Sequence, residues 1–486
     1  MNDATRADRV YFSAAYKRSV VLLLTLAYTL NSADRTLIAI IGQPLKLDLN
    51  LSDAQLGLLI GPAFAALYAF SGLPIARLAE RYNRVSIIAV AMAAWSALTA
   101  LCGSAANFSQ LLMLRMAVGV GEAGCTPPAH SLISDYYGSR RRSTALSIYS
   151  CGISFGYMLS AIIGGYVALH YGWRAACVVV GLPGIIVAFA VRWLIKEPPR
   201  GHSEPLEKSA AAQLAPEPGL PVAGRPAWLE NEFEEMVEVA RTLFGKRPTL
   251  NILIGLILAS FAAQGSYAFV PAYFNRAFGL DYATVGVISA LTGGAAVGLG
   301  LAAGGAIADL LGARDAKWYA LVPAFGLAAA LPLYVFAFLQ QSWMMSAVLL
   351  GSAGFFQYLS FGPTLGVVQN VIDARRRATA TALVYICLAV ICLGCGPPFT
   401  GWLIDRLAQL NFSLDGSFKA MCAAGALATA PSGVGQACAS TLAIASRQGI
   451  IATVLLYAWA VIHYLVGAAG LAEQMRLAVL RNAGRS

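Results

Sequence analysis

A chain of 486 residues with 58% hydrophobic and only 12% charged side chains departs far from the roughly 25% charged residues of an ordinary soluble domain. Its mean hydropathy of +0.66 excludes a water-soluble globule and marks an integral membrane protein. The net charge of +10 would suit a nucleic-acid partner, but basic residues confined to short segments between apolar runs offer no groove-reading face, so nucleic acid is excluded.

Apolar runs occupy about 20–43, 54–76, 85–105, 108–134, 143–169, 174–195, 250–274, 283–307, 316–338, 342–370, 377–404 and 449–472. Each is long enough to cross ~30 Å of hydrocarbon at ~1.5 Å per residue, which predicts an all-α protein of twelve transmembrane helices. With the N-terminus inside, 26 of the 34 Lys and Arg fall on the cytoplasmic side and 6 outside, so the positive-inside rule places both termini in the cytoplasm. The first residues lack a signal peptide's apolar core and cleavage site, so the first span itself is expected to direct insertion, into the plasma (cell inner) membrane.

The first span carries Asn31, Asp34 and Arg35. One charge at the bilayer centre costs roughly 2.5–3.5 kcal/mol on insertion scales, so an adjacent pair calls for a polar cavity, a partner or a function. In the fourth span Arg115 and Glu122 lie seven apart on one face, with Gly119 and Gly121 admitting close backbone approach. At ~1.5 Å per residue, Asp34 lies ~22 Å from the inner end of its helix, while Arg115 lies ~10 Å and Glu122 ~21 Å from the outer end of theirs, so opposite charges come to comparable depth in the outer half. A carboxylate there can take up a proton and release it when the cavity turns, because desolvation and a movable Arg change its affinity. Asp34 and Glu122 are therefore the candidate proton-coupling residues. The alternative for them and for Arg115 is an ion-pair network that fixes helix packing and gates the outer face. Arg35 is expected to hold an anionic substrate group or Asp34.

After the second span comes Glu80-Arg81-Tyr82-Asn83-Arg84, and after the eighth Asp309-Leu310-Leu311-Gly312-Ala313-Arg314. Each places an acid, then a turn residue tolerant of positive φ, then a base, which suits a tight cytoplasmic gating loop and reveals an internal repeat. The expected organisation is a six-helix bundle over 1–195, a Pro-rich linker with an amphipathic helix near 228–244 over 196–249, a second six-helix bundle over 250–472, and a tail over 473–486. An outer loop, 411–448, precedes the last span. It holds Cys422 and Cys438, a candidate disulfide in an oxidising compartment; the other seven cysteines fall in spans without metal-ligand spacing.

The second bundle is polar where the first is charged. Gln264, Tyr267, Gln357, Tyr358 and Tyr385, with Asn31, Arg35 and Arg115 opposite, are the candidate substrate cavity; inter-helix hydrogen bonding or interface anchoring is the alternative for each Gln and Tyr. Tyr273 and Asn370 fall in the same polar set, whereas His130 and His463 read as packing histidines. No phosphate-binding loop occurs, and no cofactor or metal is expected.

Four motifs share one order along the chain: Asn31-x-x-Asp34-Arg35, Glu80-Arg81-Tyr82-Asn83-Arg84, Arg115-x-x-x-Gly119-x-Gly121-Glu122-Ala123, and Lys196-Glu197-Pro198-Pro199-Arg200-Gly201. In these the chain resembles a transporter of the major facilitator superfamily, and within it the Spinster family, whose loop carries Asn where others carry Gly. The resemblance implies two pseudo-symmetric six-helix bundles working by alternating access, with lysolipid-like or other amphiphilic cargo. Joined to the intramembrane carboxylates, it leads to a monomeric, proton-coupled secondary transporter of a small amphiphilic or anionic organic molecule. Its partners would be that substrate, protons and the lipid bilayer. A membrane-embedded lipid-modifying enzyme and a transport-dead sensor are the alternatives; against the enzyme, His130 and Asp34 are not motif-spaced.

Overall fold

Among the described residues every regular element is a helix. The computed structural model describes residues 12–137, 145, 148–199, 237–372, 377–414, 417–422 and 433–476. The first part of the chain forms α1 (Ala14–Ile40), α2 (Gly42–Asp48), α3 (Asp53–Ile60), α4 (Pro62–Arg81), α5 (Arg84–Cys102), α6 (Phe108–Glu122), α7 (Thr126–Tyr136), α8 (Gly152–Leu159) and α9 (Gly165–Leu194). The second part forms α10 (Arg247–Phe278), α11 (Tyr282–Ser289), α12 (Ala296–Gly312), α13 (Trp318–Leu339), α14 (Trp343–Tyr358), α15 (Phe361–Val371), α16 (Arg377–Cys387), α17 (Gly394–Asn411), α18 (Phe418–Met421), α19 (Val434–Val454) and α20 (Leu456–Ala468).

Eight helices among the described residues are long and apolar enough to cross a membrane. They cover nine of the twelve sequence spans, because Ile148–Leu194 contains two helices meeting at Gly172, whose φ of 83° favours glycine. The remaining three are the first, second and fourth spans. Asn31, Asp34 and Arg35 depress the hydropathy of α1; the second span breaks at Gly61, between α3 and α4; the fourth breaks after Glu122, between α6 and α7. The helices that carry the intramembrane charges or bend beside them are thus the ones that read least like membrane spans.

Helix starts follow side-chain capping, which supplies acceptors to otherwise orphaned N–H groups. Asn83 accepts from the Ser86 N–H at 2.8 Å, Asn107 from Gln110 at 3.0 Å, and Ser52 with Gln55 forms a capping box at α3. Single π-helical turns at Ser160–Gly164, Ala290–Ala295 and Leu388–Leu393 interrupt the fifth, eighth and eleventh spans. Such turns are frequent at functional positions.

In the first part α1 packs on α8, α5 on α9 and α4 on α6; in the second, α13 packs on α14 and α20, and α10 on α17, α19 and α20. The two parts meet where α3 crosses α17, α9 crosses α11, and α8 touches the turn at Ala290–Ala295. A methyl group on Gly57 would lie 2.5 Å from the Pro397 carbonyl, so glycine is what lets α3 and α17 approach this closely. Tyr16 donates to the Leu194 carbonyl at 2.9 Å, tying the start of α1 to the end of α9. This end of the bundle is called terminal below, and the end that holds α2 and the start of α3 is called distal.

The segment 411–448 is not a loop throughout. Helix α19 begins at Val434, so the last span is preceded by a long helical extension, and Cys422 after α18 is bonded to Cys438 in α19. Of the expected amphipathic helix only 237–244 is described, and it is helical; Arg140–Arg142, Arg375 and Arg376 lie outside the described residues.

A candidate substrate cavity

Helix α1 presents its polar stripe to a cavity of about 310 Å³ lined by Tyr28, Ser32 and Arg35 from α1, Phe64 from α4, Tyr157 from α8, Gln264 and Tyr267 from α10, and Tyr358 from α14. Both parts of the chain therefore contribute walls. Arg35 is the charge that reaches this space: its side chain is 26% exposed, against 0% for Glu122, and 3% for Asp34 and 1% for Arg115.

The four charges pair crosswise between α1 and α6. Arg35 Nε donates to Glu122 Oε2 at 2.5 Å and Arg35 Nη2 to Asn31 Oδ1 at 2.8 Å. Arg115 Nη1 donates to Asp34 Oδ1 at 3.1 Å, and the Thr99 hydroxyl donates to the other Asp34 oxygen. Arg35 thus pairs with Glu122 and not with Asp34. Adjacent residues on a helix point about 100° apart, so Asp34 and Arg35 face different neighbours. Gly119 sets the approach of α6 to α4, since a methyl group there would lie 2.7 Å from the Phe64 carbonyl.

The cluster is electrically balanced but incompletely bonded. Asn31 Nδ2, Arg115 Nε and Nη2, and Glu122 Oε1 are buried without a hydrogen-bond partner among the described residues. An unmade buried bond is costly, so these atoms are poised for water, a proton or a rearranged partner. Protonating either carboxylate leaves one guanidinium uncompensated and gives the cavity a net positive charge, which favours an anion. The rings of Phe64 and Tyr68 lie 5.1 and 4.7 Å from the Arg35 guanidinium carbon, a stacked pair that meets it from one side in cation–π contact.

The remaining expected residues divide. Gln264, Tyr267 and Tyr358 line the cavity. Gln357 is buried behind it, accepting from Tyr334 at 2.6 Å, and the Tyr334 hydroxyl oxygen lies 3.2 Å from the Tyr267 hydroxyl. Asn31 and Arg115 are likewise one layer behind the surface. Tyr385 is half exposed, set edge-on to Phe361 and outside the lining. Tyr273 donates to the Phe338 carbonyl, Asn370 is exposed, and His463 Nδ1 lies 2.8 Å from Asn251 Oδ1.

In the repeated loops, Arg84 is buried and binds Glu197 at 2.6 Å, Asp135 at 2.5 Å, Ser131 at 2.7 Å and the Pro198 carbonyl at 3.1 Å. These partners belong to the first part of the chain, so Arg84 fastens α5 to α7 and to the segment after α9 and does not bridge the two parts. Arg81 and Arg314 are exposed, and Asp309 accepts from Tyr319 at 2.8 Å within its own loop; the side chain of Glu80 lies outside the described residues.

A second charged cluster, unforeseen from sequence, joins the two parts at the distal end. Asp53 binds Arg276 Nη2 at 2.6 Å and Lys46 at 2.6 Å. Arg276 also donates to Gln43 at 2.8 Å and Ser446 at 2.9 Å. Asp405 of α17 accepts from the backbone N–H groups of Asp53 and Ala54 at 3.1 and 2.8 Å, capping α3 from another helix. These residues sit at span ends, where charges are ordinary, and Thr99, Tyr28, Phe64 and Tyr157 carry no signal that separates lining from packing.

The family model described as Major Facilitator Superfamily matches residues 24–394. A crystal structure of a bacterial homologue of the human lysosomal transporter Spinster, inward-facing and unoccupied, aligns with a TM-score of 0.80 at 31% identity, covering 95% of this chain and 99% of that one. An MFS-type efflux pump of Mycolicibacterium smegmatis is 29% identical over 84% of this chain and 88% of the relative. A probable L-galactonate transporter of Escherichia coli is 25% identical over 85% and 87%. The chain is a Spinster-like member of the major facilitator superfamily, an integral multi-pass membrane transporter and not an enzyme.

Proposed function

We propose that this protein is a proton-coupled secondary transporter that carries a small organic anion across the plasma (cell inner) membrane by alternating access. The observation that carries the reading is the crossed pair of ion pairs, in which one cation faces the cavity and its carboxylate partner is fully buried. A proton arriving on Glu122 weakens its hold on Arg35 and frees that guanidinium for an anionic substrate. When the substrate leaves, Glu122 loses the proton and recaptures Arg35. Asp34, held by Arg115 and Thr99, is the second proton site and senses the same change through the shared α1–α6 contact. Two six-helix bundles with both termini cytoplasmic would rock about the cavity; the distal cluster around Asp53 then closes the outer face. On this reading the molecule is inward-open, and its likeness to an inward-facing homologue supports that. The probable L-galactonate transporter among its relatives supports an anionic cargo.

Reconstitution into liposomes with an imposed pH gradient tests this reading. A panel of organic anions is screened for gradient-driven uptake, with a lumenal pH dye reporting proton movement. Asp34→Asn and Glu122→Gln should each cut gradient-driven uptake at least tenfold while leaving substrate counterflow measurable. Uptake that stays proton-driven in both variants would remove these carboxylates from the mechanism.

A further inference from the structure

The cavity constrains its occupant more narrowly than charge alone. Phe64 and Tyr68, stacked on each other with ring centroids 5.2 Å apart, flank one side of the Arg35 guanidinium, at 5.1 and 4.7 Å. Glu122 occupies Nε and Asn31 one proton of Nη2. Among the described residues Nη1 has no hydrogen-bond partner, so the terminal edge of the fork is what remains for a ligand. That edge matches the two oxygens of a carboxylate lying in the plane of the guanidinium.

Beyond Arg35 the walls combine aromatic and aliphatic faces with the polar groups of Ser32, Thr36, Ser154 and Gln264. Tyr28 is stacked flat on Tyr149, with ring centroids 4.5 Å apart and planes 2° apart, which fixes its ring as a rigid wall. Ile60, Ile153, Leu393 and Pro397 continue the apolar lining. Hydroxyl groups of a polyol acid that face Ile60, Ile153, Leu393 and Pro397 would go without partners there, a costly arrangement. The volume of about 310 Å³ stands at the small end of ligand pockets, which span roughly 300–1,000 Å³, and suits a ligand of one ring. Gln264 and Tyr267, across the cavity on α10, can bond one polar substituent at the far end of a ligand.

We propose that the cavity takes a small planar aromatic monocarboxylate, its carboxylate on the open edge of Arg35 and its ring against the Tyr28 and Phe64 walls. This rests on the reading of the cavity as the transport site and narrows its substrate class. Planarity lets the ring slide between fixed aromatic walls without reorganising them, and the single acid group matches the single accessible cation.

The test is ligand binding to the purified full-length protein, read as thermal shift and by competition, followed by uptake into proteoliposomes. The probes are 4-hydroxybenzoate, cyclohexanecarboxylate, benzamide, gluconate and oleoyl lysophosphatidate. We expect 4-hydroxybenzoate to bind at least tenfold more tightly than benzamide or gluconate, with cyclohexanecarboxylate between them. Arg35→Lys, which keeps the charge and loses the fork, should weaken 4-hydroxybenzoate at least tenfold; the probe series on the unaltered protein decides the question even if that variant fails to fold. Failure of 4-hydroxybenzoate to bind, or tighter binding of gluconate or the lysolipid, overturns the proposal. Gradient-driven uptake of gluconate or lysolipid in place of 4-hydroxybenzoate would sink the substrate class and leave proton-coupled transport standing. Tight 4-hydroxybenzoate binding without any gradient-driven flux would do the reverse.

Discussion

Arg84 holds two carboxylates and a carbonyl with one guanidinium, and its side chain is 1% exposed. Breaking a buried pair from one side is costly because the other side stays charged; typical losses are about 3–5 kcal/mol. Asp135 and Glu197 keep some access to water, which puts Arg84→Ala toward the lower end of that range. We expect a large fall in melting temperature in detergent for Arg84→Ala, partial recovery with Arg84→Lys, and unchanged ligand affinity per folded molecule. An affinity loss without a stability loss would mean that Arg84 acts on the cavity instead. Gly119 makes the complementary case, because a methyl group would sit 2.7 Å from the Phe64 carbonyl, a backbone atom that cannot swing aside. Gly119→Ala should push α6 away from α4 at a cost of about 1–3 kcal/mol. Since Phe64 also contacts Arg35, ligand affinity should fall with stability in this variant, unlike Arg84→Ala.

At the level of elements, caps decide where helices start. Asp281 accepts from the Thr284 N–H at 2.9 Å and from its hydroxyl at 2.7 Å, and these bonds hold its carboxyl below the ordinary value. The cap is therefore fully present above that ordinary value and is lost as pH falls through the lowered one. Asp281→Ala should cost about 1 kcal/mol at neutral pH, and the gap between variant and parent melting curves should narrow under strong acid. A constant gap would show that the carboxylate charge does not matter. Helix α3 is capped differently, by its own Ser52 and by Asp405 from α17, so its start depends on the neighbouring helix staying in place. The bond between Cys422 and Cys438 anchors α18 to α19. Closing a loop of that size contributes ~3 kcal/mol in the chain-entropy model. Non-reduced protein should show neither cysteine reactive to an impermeant maleimide, and ready labelling of both would mean two free thiols.

At the level of the whole molecule, legibility followed the cost of burial. Asp34, Arg35, Arg115 and Glu122 stood out because charge in an apolar span is expensive, but which acid meets which base depends on helix rotation, which no single span encodes. Gln264, Tyr267 and Tyr358 were readable as polar groups in lipid-spanning runs, whereas Phe64 and Tyr28 look like packing residues until the opposing helices are seen. Ser, Gln and Arg between 434 and 448 disguised the helical extension of the last span as loop. The distal cluster was the least legible feature, yet it bears most on how the two parts move. Asp53 meets Arg276 and Lys46 while Asp405 caps its helix, so the α3–α17 crossing combines close packing with buried charge pairing. Under the alternating-access proposal such a contact has two states, closed with all partners met and open with each partner hydrated, and weakening it should shift their populations. Asp53→Asn keeps the size and removes the charge that neutralises Arg276 and Lys46. Spin labels at the exposed positions Leu47 and Gln409 should then report a longer distance population, while ligand-free protein becomes less accessible at the terminal end. A longer distal separation without reduced terminal accessibility would indicate local fraying of α3, and an unchanged distance distribution would exclude the cluster as the distal latch.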